Sequence, residues 1–261
     1  MIDVLAPLFR GDFEAYRDVL VLADDPRPAT VYDELLAPDA FAELQRRFGQ
    51  RYSGDDRRAW VSLWAKHYIV KLLPPVMGAT LLLRWRLPLG LADTALLLDE
   101  GALPQGFRLS DKGAPFAADV NEPFELFAGL LDDHLQPLFQ ALASQTRLSP
   151  KVLWSNAGNY FENLLNLMAK AGMPAERLTP GRALLETKTR PDGTRNPLFQ
   201  PVRYLPIDDA SGQPTLRRER KVCCVRYLLP ELELCGNCPL KVNPARVPAW
   251  FSSASALSSG S

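Results

Sequence analysis

The chain has 261 residues, about 47% of them hydrophobic, with 30 Lys+Arg balancing 30 Asp+Glu for a net charge of zero. That length buries one large core or two modest ones, and the even charge balance argues against nucleic acid or an acidic membrane surface as partner. No apolar run reaches the roughly 17–25 residues of a membrane span, because Pro74, Pro75, Arg84 and Arg86 interrupt the longest ones. The opening MIDVLAPLFRGDFEAYRD lacks the basic-then-apolar order of a secretory signal. A cytoplasmic protein is therefore expected, whose thiols stay reduced and serve metal or redox chemistry rather than disulfides.

The first two-thirds reads mainly helical. Residues 12–23 and 40–48 carry apolar positions at helical spacing, the second with Asp39 as a candidate N-cap. Asp55 and Asp56 precede a helical pattern in which Trp60, Leu63, Trp64, His67 and Val70 recur. Negative charge favours such a helix start, and Pro74-Pro75 is expected to break or kink the run. Residues 93–109 read as a short hairpin around Glu100-Gly101. Residues 122–146 and 154–170 return to helix, the latter with Leu164, Leu165 and Met168 as its buried stripe and Gly172 at its end. From about Arg182 the period switches to strands. A strand near 183–188 is expected, then a hairpin of 199–206 against 214–223 with a turn over Asp208–Gly212. The fold class is α+β. A mainly helical body covers 1–181, antiparallel strands and a cysteine segment cover 182–243, and a tail expected to be mobile covers 244–261.

All four cysteines lie in one stretch, CCVRYLLPELELCGNC, as Cys223-Cys224, ten residues, then Cys235-x-x-Cys238. A Cys-x-x-Cys turn lets two thiolates reach one metal, and Gly236 lowers the cost of so tight a turn. Adjacent residues of a strand point to opposite faces, so Cys223 and Cys224 are expected at a strand end or bulge. Structural zinc prefers pairs separated by two to four residues, a poor match to a vicinal pair. A two-iron, two-sulfur cluster takes four thiolates, as does a four-iron cluster. Four unligated buried cysteines are the remaining reading.

The spacing Cys-Cys-x₁₀-Cys-x-x-Cys resembles the FhuF-type ferric-siderophore reductases. So do SLWAKHYIVKLLPPVM (62–77), LWSNAGNYFENLL (153–165), NPLFQ (196–200) and CGNCPLK (235–241). The resemblance runs from about residue 60 onward, and the tail after Lys241 has no counterpart in the family pattern. It implies a [2Fe–2S] cluster on Cys223, Cys224, Cys235 and Cys238. It also implies one-electron reduction of Fe(III) in an imported ferric siderophore, taken as hydroxamate type, with Fe(II) released in the cytoplasm. The chemistry is coherent, because the hard oxygens that hold Fe(III) bind the less charged Fe(II) far more weakly. No Gly-x-Gly-x-x-Gly follows a strand, so an electron-donor protein is expected as partner. Peripheral association with the inner face of the membrane is compatible with that role.

The basic run Arg217, Arg218, Arg220, Lys221, Arg226, with Arg203 opposite, reads either as a positive patch for an anionic partner or as a solvated edge strand. Candidate substrate contacts are Trp154, Asn156, Asn159, Arg217 and Arg218. Against this, Trp60, Trp64 and Trp154 at helical spacing read first as core, and Ser155 and Asn156 read first as helix caps. His67 reads as a hydrogen-bonded core residue. No nucleophile triad is visible. Two alternatives from other classes stand beside the reductase: a non-catalytic protein stapled by a Cys₄ zinc site, and a siderophore-binding domain without reductase activity.

Overall fold

This computed structural model describes residues 2–208 and 212–241. The chain opens with two 3-10 segments, Asp3–Leu8 and Gly11–Tyr16. The helix expected over 12–23 does not form. Gly11 sits at φ +56, and Val19, Leu20 and Val21 are buried. They enter a sheet instead, as strand β1 (Leu20–Val21), parallel to Phe107–Arg108. Apolar residues at the end of the run thus gain more from sheet burial than from local helix propensity.

Strand β2 (Thr30–Val31) leads through α1 (Tyr32–Leu35) into α2 (Pro38–Gly49), which buries Phe41, Leu44 and Phe48. Pro38 takes the first turn, where its missing N–H costs nothing. Asp39 therefore lies inside that turn, and Ala37 occupies the cap position. Helix α3 (Arg57–Met77) is capped by Asp56, whose carboxylate accepts from the Arg58 and Ala59 amides at 2.9 and 3.4 Å. It is apolar nearly all round, as a helix buried in a core must be. Pro74-Pro75 does not end it. Their absent N–H groups leave the carbonyls of Val70 and Lys71 without helical donors, but both residues are only partly buried. Burial of Leu72, Leu73, Val76 and Met77 holds the helix on course. The irregularity is displaced to the widened turn Gly78–Leu82, where the Leu83 amide donates to Gly78 O at 3.3 Å.

Strand β3 (Trp85–Arg86) is followed by β4 (Thr94–Leu98) and β5 (Pro104–Leu109), which pair antiparallel in register Leu96↔Phe107, and then by β6 (Ala114–Pro115). The larger sheet has the order β1-β5-β4-β2, and β3 pairs with β6. Helix α4 (Pro123–Leu130) continues through a second widened turn, Leu131–Leu135, into α5 (Gln136–Thr146). Pro137 explains that turn, since it cannot donate to the Asp133 carbonyl. Helix α6 (Pro150–Lys170) buries Leu164, Leu165 and Met168, and Gly172 follows at φ +81.

The strand expected near 183–188 is instead the end of helix α7 (Ala175–Glu186). Leu178, Gly181, Leu184 and Leu185 are buried at three- and four-residue spacing, a helical period that tertiary packing selects. An added Cβ at Gly181 would meet Leu165 Cδ2 at 2.8 Å, so α7 lies close on α6 there. Strands β7 (Val202–Asp208) and β8 (Pro214–Arg220) form the C-terminal hairpin in register Val202↔Arg220. The turn expected over Asp208–Gly212 falls partly, and the tail 244–261 wholly, outside the described residues. One hydrophobic core runs from Ile2, Leu5 and Phe9 to Leu229, so the N-terminal residues pack into the same core as the rest. The architecture is mixed α+β, mainly helical with small sheets.

Candidate metal centre

The cysteine segment hangs from the C-terminal hairpin and is pinned to α3 and α6. Three small polar residues on those helices do the pinning. Ser62, fully buried on α3, donates to Cys224 O at 2.7 Å. Ser155 on α6 donates to Val222 O at 3.2 Å. Asn156, fully buried, donates from Nδ2 to both O and Oγ of Ser62 at 3.1 Å. A fourth, Asn159, accepts from Asn237 Nδ2 at 2.7 Å, which ties α6 to the Cys-x-x-Cys turn. The Arg220 amide donates to Asn237 O at 2.9 Å, joining the end of β8 to the same turn.

The vicinal pair lies beyond the end of β8, and the next residue, Val225, is at φ +53. That left-handed conformation is costly for a β-branched side chain. It aims the Val225 amide at Cys223 Sγ, 3.4 Å away. In the second pair the Cys238 amide donates to Cys235 O at 3.0 Å, closing the turn. All four thiols are free, with Cys224 and Cys238 buried and Cys223 and Cys235 partly so. The sulfurs form a ring in which Cys223 neighbours Cys224 and Cys238, and Cys235 neighbours the same two. Cys224 Sγ and Cys235 Sγ are 3.9 Å apart. Thiol donors from Cys223 and Cys235 pull Cys224 and Cys238 far below the usual thiol range, and Lys66 and Arg220 add positive potential at Cys224. Cys223 and Cys235 are pushed up as the proton-holding partners. The ring thus favours the thiolate, the form that binds metal, at Cys224 and Cys238. Among the described residues, no group of three or more His, Cys, Asp or Glu side chains is arranged as a ready metal site. An all-thiol set of four is the normal shell of a [2Fe–2S] cluster, so the donor set fits that group.

The basic run does not form an open patch. Arg203 and Arg217 bracket the fully buried Glu219, with Arg217 Nη2 2.7 Å from Glu219 Oε2. Arg218 pairs with Glu162 through Nε at 2.7 Å and donates to Asn159 Oδ1 at 3.0 Å. Arg220 is 1% exposed. Its Nη2 donates to Asn156 Oδ1 at 2.5 Å and Ser155 Oγ at 3.3 Å, while its Nε has no partner. Arg203, Arg217 and Arg218 are thus matched by Glu219 and Glu162, whereas Lys221 and Arg226 take part in no ion pair among the described residues.

Of the five candidate substrate contacts, Asn156 and Asn159 are buried and hold the cysteine segment, and Arg217 and Arg218 are ion-paired. Trp154 lines an open cavity. Ser155 and Asn156 lie within α6 rather than at its cap, which is Ser149. Trp64 is core and donates to Ala102 O at 2.9 Å. Trp60 is partly exposed and donates to Gly54 O at 3.0 Å. His67 is exposed rather than core. The buried histidine is His134, whose Nδ1 donates to Leu89 O at 2.5 Å and whose Nε2 accepts from Tyr68, itself bonded to Tyr32.

Residues 62–212 match the family described as "Ferric iron reductase FhuF-like transporter". Residues 220–240 match "FhuF 2Fe-2S C-terminal domain", a span that contains all four cysteines. Over 263 aligned residues, 91% of each chain, the sequence is 29% identical to a protein of Escherichia coli (strain K12) named "Ferric siderophore reductase".

Proposed function

The chain belongs to the FhuF family and carries its [2Fe–2S] domain, and from that premise we propose that it reduces the iron of ferric siderophores. Cys223, Cys224, Cys235 and Cys238 hold the cluster. The observation that carries this reading is the ring of four thiols, brought together from two sequence pairs and pinned to the core by Ser62, Ser155 and Asn159. A [2Fe–2S] cluster held by these four thiolates would supply one electron to the Fe(III) of the chelate, giving Fe(II), with a donor protein as the source of that electron. The chain's own residues position this chemistry. Asn156 fixes both Ser62 and Arg220, so one side chain sets the distance between α3, α6 and the strand that enters the site. Burial of Cys224 and Cys238 shields one side from water, while the partly exposed Cys223 and Cys235 leave the other open to a bulky complex. Fe(II) then leaves because the siderophore's hard oxygens hold it weakly.

No helix among the described residues is long and apolar enough to cross a membrane; action in the cytoplasm on a complex already imported is part of the proposal. The test is anaerobic stopped-flow mixing of dithionite-reduced protein with a ferric siderophore in the presence of a colorimetric Fe(II) chelator. One Fe(II) trapped per reduced centre is expected. Reoxidation of the protein without Fe(II) would contradict the proposal, and NADPH oxidation by the purified protein alone would remove the need for a donor protein.

A further inference from the structure

A cavity of about 320 Å³ opens beside the cysteine segment. It lies between the first turn of α6 and the 195–201 loop, and Val222, the residue before Cys223, forms part of its wall. Lys151, Arg195 and Lys221 line it, and no acidic residue does. Among the described residues, none of the three cations is held in an ion pair. This sets the cavity apart from the rest of the region, where Arg203, Arg217 and Arg218 are all matched by carboxylates. The start of the long helix α6 adds the positive end of its dipole to the same face.

Apart from Ser155 and Gln200, whose Oε1 accepts from Lys221 Nζ at 3.1 Å, the other lining residues are apolar. Trp154 packs edge-on against Phe139, with centroids 5.0 Å apart, and leaves part of its ring in the cavity. Phe199 lines the same cavity, with Lys221 Nζ 5.7 Å from its ring centroid. Cations beside aromatic faces recognise a planar ring that carries negative charge, since the ring stacks while the charge meets the ammonium and guanidinium groups.

We propose that this cavity seats an aromatic, anionic arm of the ferric complex, so that the preferred substrates are catecholate chelates with net negative charge rather than neutral or cationic trishydroxamates. This rests on the reductase reading and narrows it. The hydroxamate expectation followed from resemblance, whereas the wall of the cavity selects by charge and ring. Seating an arm against Val222 brings the chelate next to the cysteine segment, because Ser155 lines the cavity and its hydroxyl holds the Val222 carbonyl. The concave shape suits one ring better than the convex acidic surface of a donor protein.

Gallium(III) complexes accept no electron under these conditions, so they separate binding from reduction. Titration of the cluster-loaded protein, followed by Trp fluorescence and calorimetry, compares a gallium tris-catecholate, a neutral gallium trishydroxamate and an anionic gallium hydroxamate–carboxylate. The expected order is catecholate first, at least tenfold tighter than the trishydroxamate, with the anionic hydroxamate between. Lys151→Gln with Arg195→Gln is expected to weaken the catecholate at least tenfold and to flatten its salt dependence, leaving the trishydroxamate unchanged. Trp154→Leu is expected to weaken the catecholate alone. Equal affinities for all three complexes, or no effect of the double substitution, would overturn the proposal. So would a double variant that binds every chelate normally but is reduced more slowly by its donor protein, since the cavity would then be a donor-docking site. Normal catecholate binding without reduction of the iron form would count against the reductase reading and leave the cavity's assignment standing.

Discussion

Replacing Arg220 by Met tests the electrostatics of the site. The side chain is 1% exposed, receives two hydrogen-bond acceptors from α6, faces no carboxylate and leaves its Nε unpartnered. A buried guanidinium without an anion is unfavourable by several kcal/mol, and the nearby negative charge is that of the cysteine sulfurs, as its effect on Cys224 indicates. On the proposed reading, Arg220 would serve as a counter-charge to the centre. At an effective dielectric near 20, a unit charge at about 4–8 Å interacts by about 2–4 kcal/mol with one added electron. At about 1.4 kcal/mol per tenfold and 59 mV per tenfold for a one-electron couple, this corresponds to about 90–180 mV. The positive charge favours the reduced state, so Arg220→Met is expected to lower the midpoint potential by that order, and Arg220→Lys to restore most of it. The assay is a mediated redox titration followed by EPR and visible absorption. In metal-free protein, Arg220→Met removes an uncompensated buried charge but leaves the buried Asn156 Oδ1 without its donor, so the two effects are expected to offset to within about 1–3 kcal/mol. A potential unchanged in the Met variant, or a Lys variant displaced as far as Met, would refute the reasoning.

Three further outcomes follow from the packing. A Cβ at Gly158 would stand 2.6 Å from Pro201 Cβ and 3.1 Å from its Cγ, so Gly158→Ala should overpack α6 against the loop entering β7 and cost about 1–3 kcal/mol in denaturant unfolding; an unchanged midpoint would mean that the loop yields freely. Ser62→Ala removes the donor to Cys224 O and an acceptor of Asn156, which should cost about 1–3 kcal/mol and hasten loss of visible absorbance under a chelator; wild-type retention would deny Ser62 its anchoring role. Burial lowers the His134 pKa to about 4, so folding is favoured by the neutral ring. That contribution is complete above the unfolded value of about 6.5 and is lost as pH falls towards 4. It amounts to about 3 kcal/mol at roughly 1.4 kcal/mol per unit. Unfolding curves at pH 4 and pH 7 should therefore diverge for wild type and much less for His134→Gln, and parallel curves would contradict the neutral-ring account.

The sequence displayed the cysteine spacing in full, because the two halves of the ring are each local patterns and only ten residues separate them. The longer helices were legible for the same reason. What stayed hidden is long-range. Ser62 lies 162 residues from the Cys224 carbonyl it holds, and Glu162 lies 56 residues from Arg218. The basic run therefore left both a positive patch and a solvated edge strand open, when Arg203 is matched across the hairpin and Arg218 from another helix. The signal for Ser62 was present, as a small hydroxyl on an otherwise apolar face of α3, but its partner could not be named. Pro74-Pro75 and the end of α7 were misread because local rules gave way to burial. Tertiary contacts kept one helix running through two prolines and turned an apparent strand into the last turn of another.

The central claim is that Cys223, Cys224, Cys235 and Cys238 together hold a two-iron, two-sulfide centre that carries one electron. Anaerobic iron and sulfide analysis with EPR of the dithionite-reduced protein, repeated on each Cys→Ser variant, tests it most directly. The account predicts two irons and two sulfides per chain, a one-electron paramagnetic signal on reduction, and loss or marked alteration of that signal in all four variants. A colourless chain containing one zinc, or a variant whose signal is identical to wild type, would contradict it.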